Sequence, residues 1–236
     1  MCLKNIFGYN IQYMSVNCHV EIICNTEKEP DRIPTIELIT NHYNITPYFT
    51  VYGEDTRSHK YFPKYRQQLN TSAISLAINH ITLLEKYKDS DKTLLIFESD
   101  VLCLLDFDII DNKLNSIIES MNTHSIDFVF LGIGCFDSID KDNYTLIEND
   151  IYKTGTSRCT EAYLIRPNGM RKYLDYFYNV INNHTAIDAD YNLFFKGHPE
   201  IISCWLIPEL FKQGSRSIYK SLVPVESDTS VYSEIN

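Results

Sequence analysis

The segment Thr93-Leu94-Leu95-Ile96-Phe97-Glu98-Ser99-Asp100 passes without a break from apolar chain into three polar residues. An apolar run of strand length with no alternation predicts a strand covered on both faces, as in a sheet layered between helices. Ligands of open α/β sheets gather outside the carboxyl ends of such strands. The two acids therefore stand where binding chemistry is expected.

The flanking sequence repeats the pattern. Ile74, Ile78, Ile81 and Leu84 keep helical spacing behind a cap at Thr71 or Ser72. Further upstream, the run from His19 to Cys24 is β-rich, Ile36 to Tyr43 is helix-like, and Tyr48 to Tyr52 reads as a second strand stopped by Gly53. Residues 54–70 have no clear period and read as a long loop on the substrate side. Downstream, Leu114, Ile117, Ile118 and Met121 form one helix face, and Phe128 to Leu131 is a buried strand closed by Gly132-Ile133-Gly134. Residues 135–160 mix turn and strand signals, as a hairpin does. Ala162 to Ile165 is a strand, Pro167 takes a first helical position, and Met170, Leu174, Phe177 and Ile181 follow at helical spacing. Asp188 caps a helix reaching Phe195, and Ile201 to Leu206 is a last strand. Alternating strands and helices predict an α/β fold, one domain with a mostly parallel central sheet. Residues 1–18 read as a leader or edge element, 19–220 as the domain and 221–236 as a polar tail.

Composition narrows the function. The chain has 236 residues, 44% hydrophobic and 22% charged, a globular balance that excludes dominant disorder. Against 21 Lys and Arg stand 31 Asp and Glu, a formal charge of −10. That charge repels phosphate backbones and excludes bulk nucleic-acid binding, while leaving room for a phosphate held through a metal. Seven cysteines without a C-x-x-C pair, several inside apolar runs, read as reduced thiols. The N-terminus lacks the apolar core of a secretory signal, and no stretch approaches the ~18 apolar residues of a spanning helix. A cytoplasmic protein is expected, peripheral to membranes at most; the N-x-S/T triplets at Asn44, Asn70, Asn143 and Asn183 are then chance matches.

Two residues apart in extended chain, Glu98 and Asp100 project to one side, about 6.6 Å apart, while Ser99 faces away. Such hard oxygen donors suit Mg²⁺ or Mn²⁺, which grip diphosphates; the competing reading is a pair of turn-capping acids. Gly132-Ile133-Gly134 lacks the rest of a dinucleotide fingerprint, and there is neither a P-loop nor a serine elbow. His80, on an apolar helix face, reads as a core or edge residue. His198, in a loop before Pro199, is freer to act as a metal ligand.

Taken together, these segments resemble glycosyltransferase family 25, the lipo-oligosaccharide and collagen galactosyltransferases. Asn79-His80 on a helix, then the apolar strand into Glu98-Ser99-Asp100-Val101, is similar to the family's Ser/Asn-His helix and Glu-Asp-Asp-Val strand exit. Ile22-Ile23-Cys24-Asn25 with Pro30-Asp31-Arg32, Asp127 to Gly132, Ala162-Tyr163-Leu164-Ile165 with Gly169-Met170 and Leu174, Ile187-Asp188, and Pro208 to Gln213 resemble further family blocks in family order. Two residues depart from the pattern: Ser99 replaces the middle Asp, and Arg166 replaces a serine. Arg166 either adds charge near a diphosphate or faces solvent.

The resemblance implies a GT-A-type, Rossmann-like nucleotide-diphospho-sugar transferase fold, Mn²⁺ or Mg²⁺, a UDP-sugar donor (usually UDP-galactose) and inversion at the anomeric carbon. The acceptor is then a glycan, glycolipid or protein hydroxyl. Glu98, Asp100 and His198 are the expected metal ligands. Asn25, Arg32, Gln213 and Arg216 join the two acids around the nucleotide, with Ser217 beside them. Inversion needs a carboxylate base, as in inverting glycosidases; Asp188 is the first candidate, then Asp190 and Glu161. Two other functions stay open: a binding module that has lost turnover, and a sugar nucleotidyltransferase, for which Asn25-Thr26-Glu27-Lys28 makes a poor phosphate loop.

Overall fold

The run that begins at Thr93 forms the heart of the sheet in the computed structural model, which describes residues 16–48, 54–134, 140–157 and 159–216. Nine strands occur among these residues: β1 (His19–Ile23), β2 (Leu94–Glu98), β3 (Val101–Cys103), β4 (Phe128–Phe130), β5 (Thr145–Glu148), β6 (Ile151–Lys153), β7 (Ala162–Ile165), β8 (Ser203–Leu206) and β9 (Phe211–Gln213). The helices are α1 (Ile33–Tyr43), α2 (Glu54–Ser58), α3 (Thr71–Tyr87), α4 (Phe107–Thr123), α5 (Pro167–Asn179) and α6 (Ile187–Gly197).

Seven strands form one sheet in the order β1-β2-β7-β4-β8-β6-β5, and β3 pairs with β9 in a small second sheet. Five of the seven (β1, β2, β4, β5 and β8) run one way; β6 and β7 run against them. The chain is thus α/β with a mostly parallel central sheet, as the sequence predicts. Strand alternation divides the core into two layers. Leu94, Ile96, Phe128, Phe130, Tyr163 and Ile165 face α3, α5 and α6. Leu95, Phe97, Val129, Leu131 and Leu164 face α1 and α4. Every residue of β2 is buried, which explains its unbroken apolar sequence.

The hairpin expected between 135 and 160 is β5–β6, turned by Asn149 and Asp150, both at positive φ, the conformation a two-residue hairpin turn requires. Lys64 stitches the preceding region to α5 by donating to the carbonyls of Phe177, Tyr178 and Val180, acceptors that a helix end leaves without intrahelical partners. Residues 54–70, read as a loop, therefore contain α2 and a clip onto α5.

Other expectations need correction. The cap of α3 is Asn70, whose side chain takes the Ala73 N–H, one residue before the predicted Thr71. Ala186, not Asp188, is the N-cap of α6. Ile181 lies beyond α5 and is exposed. The strand ending at Leu206 is not the last, because Phe211–Gln213 returns to pair with β3. Of the strand predicted at Tyr48–Tyr52, only Tyr48 is described; it bridges Ile23 in parallel. The leader before residue 16 and the tail from 221 lie outside the described residues.

No disulfide joins Cys18, Cys24, Cys103, Cys159 and Cys204, and burial pushes the Cys24 and Cys204 thiols up to about 12. No helix among the described residues is long and apolar enough to cross a membrane. Asn70→Ala is expected to remove about 1 kcal/mol through the lost cap, a fall of ~2–4 °C in thermal denaturation. An unchanged melting temperature would show that α3 does not depend on this cap.

Candidate functional site

The carboxyl ends of β1, β2 and β4 and the amino end of β7 share one rim of the sheet. Glu98 ends β2, and its N–H donates to the carbonyl of Glu161, the residue just before β7. Asn25 follows β1 at the same rim, and Gly132 to Gly134 follow β4. Gln213 lies opposite Val101, just past the acids. The topology thus brings Asn25, Arg32, Glu98, Asp100, Glu161 and Gln213 to one region.

The acid segment does not stay extended. The chain turns at Ser99 and Asp100 before β3 begins, so the extended geometry behind the expected same-side projection is absent. Each residue of the turn is held by a different part of the fold. Glu98 points toward α3, where its Oε1 meets His80 Nε2 at 3.1 Å and accepts from Thr160 Oγ1 at 2.5 Å. His80 is held in turn through Nδ1 by the Tyr163 hydroxyl, 2.8 Å away, and Tyr163 by Tyr191 at 2.9 Å. Ser99 Oγ accepts from Arg32 and donates to Glu29. The Asp100 carbonyl accepts from Gly214 N–H at 2.6 Å, and its side chain is hydrogen-bonded to Ser215.

One oxygen is left over. Asp100 Oδ1 is buried and has no hydrogen-bond partner among the described residues. Burial, then the nearby Glu98 carboxylate, raise the Asp100 pKa from 3.8 to about 6, with Ser215 and Arg32 opposing. Glu161 is fully buried, and burial lifts its carboxyl from 4.5 to about 8; hydrogen bonds from its own N–H and from Gly134 N–H oppose the shift, while Glu98 and Asp100 add to it. Glu161 fits only because residue 132 is glycine: a Cβ there would lie 2.1 Å from Glu161 Oε1.

Among the described residues, no group of three or more His, Cys, Asp or Glu side chains is arranged to hold a metal ion. The donor chemistry nevertheless fits a hard divalent cation: an uncommitted buried carboxylate oxygen beside two further acids, with carboxyl protons held tightly in the absence of a positive charge.

The other expected residues have contacts of their own, some of them far from the acids. Ser203 of β8 is level with Phe128, Ile165 and Leu94, the far ends from Glu98. His198 precedes β8 at that far end, with Nδ1 3.0 Å from the Phe194 carbonyl, and does not join the acids. Arg166 also sits at the far rim, donating to the Met121 carbonyl. Asp190 is buried, accepting from Tyr173 at 2.7 Å and paired with His184 at 2.9 Å, which makes it a packing carboxylate. Asp188 is half-buried in the first turn of α6, with Oδ1 taking the Ala189 N–H. Arg32 is buried against Glu29 at 2.6 Å, not open to a phosphate. Asn25 Oδ1 takes the N–H groups of Glu27 and Lys28, and Gln213 Oε1 lies 3.5 Å from Cys159 Sγ. The backbone of Arg216 lies in the turn Gly214–Arg216; its side chain and Ser217 lie outside the described residues.

Sequence reading missed Glu29, Thr160 and Ser215, and read His80 as a core or edge residue and part of a family-like helix block, with no contact to Glu98. The sequence signal for His80 was its helical register with buried Ile81 and Leu84, which places it under the strand that ends in Glu98. A separate cavity of about 1080 Å³ follows the outer edge of β1, between Tyr43, Phe107 and Asp111 on one side and Lys86 and Tyr87 on the other. Glu98, Asp100 and Glu161 do not line it.

No family model and no curated protein matches the chain. Among solved structures, UDP-glucose pyrophosphorylase complexed with UDP-glucose matches with 11% identity, 92% coverage of this chain, 82% coverage of that chain and a TM-score of 0.42. At that similarity the match carries no argument about chemistry, and the family-25 resemblance has no counterpart in these comparisons.

The two raised carboxyls make stability depend on pH. Each acid binds its proton more tightly folded than unfolded, so the stabilisation is complete below the unfolded value and is lost as pH rises through the folded one. For Glu161 the window runs from 4.5 to about 8, and for Asp100 from 3.8 to about 6. The melting temperature is expected to fall across this range, and Glu161→Gln to flatten the fall in its upper half. Equal slopes in the two proteins would show that Glu161 is not a buried, proton-retaining acid.

Proposed function

We propose that the chain is a metal-dependent glycosyltransferase of GT-A type. It moves a sugar, galactose by family resemblance, from a UDP-sugar to a hydroxyl of a glycan, glycolipid or protein. The observation that carries this reading is the buried, partnerless Asp100 Oδ1 at the carboxyl-end rim, beside Glu98 and Glu161. A buried acceptor without a partner is costly, and a cationic ligand satisfies it.

Asp100 and Glu98 would hold a divalent cation, whose positive charge stabilises the departing diphosphate. His80 and Thr160 keep Glu98 oriented, and Gly214 and Ser215 do so for Asp100. Asn25 and Gln213, at the same rim, flank the nucleotide. Asp188, the first base candidate, is assigned the acceptor hydroxyl proton because it is partly exposed, whereas Asp190 and Glu161 are buried. His198 has no part in this arrangement, because β8 puts it at the other end of the sheet.

Release of UDP from UDP-sugars with Mn²⁺ tests the reading. Release is expected with metal and not with chelator, and Asp100→Asn is expected to slow it by about 10²–10³-fold. Pyrophosphate formed from UTP and a sugar phosphate would replace the reading with a nucleotidyltransferase. Binding of a UDP-sugar with release of neither product would replace it with a binding module.

A further inference from the structure

Glu29 has no part in the roles assigned above, yet it touches the acid turn. Its Oε1 takes Arg32 Nη1 at 2.6 Å, and its Oε2 takes the Ser99 hydroxyl at 2.7 Å. Ser99 Oγ in turn accepts from Arg32 Nη1 at 2.5 Å. The three side chains close a ring, and all three are buried. The loop that carries Glu29 is folded on itself, because the Asn25 carbonyl accepts from the N–H groups of Lys28 and Glu29.

Ser99 is therefore fixed in both directions, as donor and as acceptor. The next residue is Asp100, whose carbonyl is tied to Gly214 N–H at 2.6 Å. Asp100 is therefore flanked by two fixed points: Ser99 before it, held from the β1 side by Glu29, and the peptide after it, held from the β9 side by Gly214. We infer that Glu29 is a positioning residue: acting through Ser99, it sets the direction of Asp100 Oδ1. Removing one member of a buried charged ring takes a contact from each of the others, so the turn must rearrange. The inference rests on the glycosyltransferase reading only for the identity of the ligand that Asp100 meets.

Two readouts on the full chain test it. Glu29→Gln keeps the shape and removes the charge; Ser99→Ala removes the relay; Glu27→Gln, exposed on the same loop, is the control. The amide resonance of Gly214, bonded to the Asp100 carbonyl, is expected to move in either variant and no further in the double variant, as for groups in one network. The control leaves it in place, and Ser99→Thr, which keeps the hydroxyl, restores it and covers the case in which Ser99→Ala fails to fold. An unmoved Gly214 resonance in folded Glu29→Gln, or shifts that add in the double variant, overturns the inference. In the second readout, calorimetric affinity for Mn²⁺ with UDP is expected to weaken about tenfold in each variant. A parent chain that binds no Mn²⁺ with UDP sinks the glycosyltransferase reading alone, and the Gly214 resonance still decides the role of Glu29.

Discussion

The structure around the rim depends on a three-residue turn held from three directions. Glu98 is fixed from beneath by α3 and by Thr160, Ser99 from the β1 side by the Glu29–Arg32 pair, and Asp100 from the β9 side by Gly214 and Ser215. Without these contacts, a turn that gathers acids would open under their mutual repulsion. With them, the carboxylates are kept close, and the buried Asp100 Oδ1 stays without a hydrogen bond among the described residues. On the proposed reading, the turn is ordered by these contacts alone, so little ordering cost would fall on binding.

Gathering acids in a chain of net charge −10 carries an electrostatic penalty. The fold answers it in two ways. Glu29 is neutralised locally by Arg32, and Asp100 and Glu161 respond to burial by holding their protons more tightly. His80 links the rim to the tyrosines of the core through Tyr163 and Tyr191, so the orientation of Glu98 is coupled to packing beneath the sheet. Arg32 shows how charge alone misleads: an arginine expected at a nucleotide turns out to be a structural partner for an acid.

Much of the scaffold was legible because burial leaves a local mark. The apolar run of β2, the helical register of α3 and the turn residues Asn149 and Asp150 each state their structure within a few positions. What the sequence hides is direction and distance. Nothing in Ala162-Tyr163-Leu164-Ile165 tells that β7 runs against its neighbours, and three-residue strands such as β3 and β9 are too short for a period to show. The alternation argument for Glu98 and Asp100 broke because the chain leaves the extended state at Ser99, to satisfy contacts with Glu29, 70 residues away. His198 looked free because a loop histidine before proline carries no mark of which end of a sheet it occupies. Asp190 looked available because its partners, Tyr173 and His184, come from α5 and from the connection that follows it.

The contact between Gly132 and Glu161 reaches beyond this one chain. A methyl group at 132 would coincide with the carboxyl oxygen at 161, so residue 132 cannot gain a side chain while Glu161 keeps its place. In any descendant of this sequence the two sites are expected to vary as a linked pair: a larger residue after β4 is tolerated only where the side chain before β7 has become shorter.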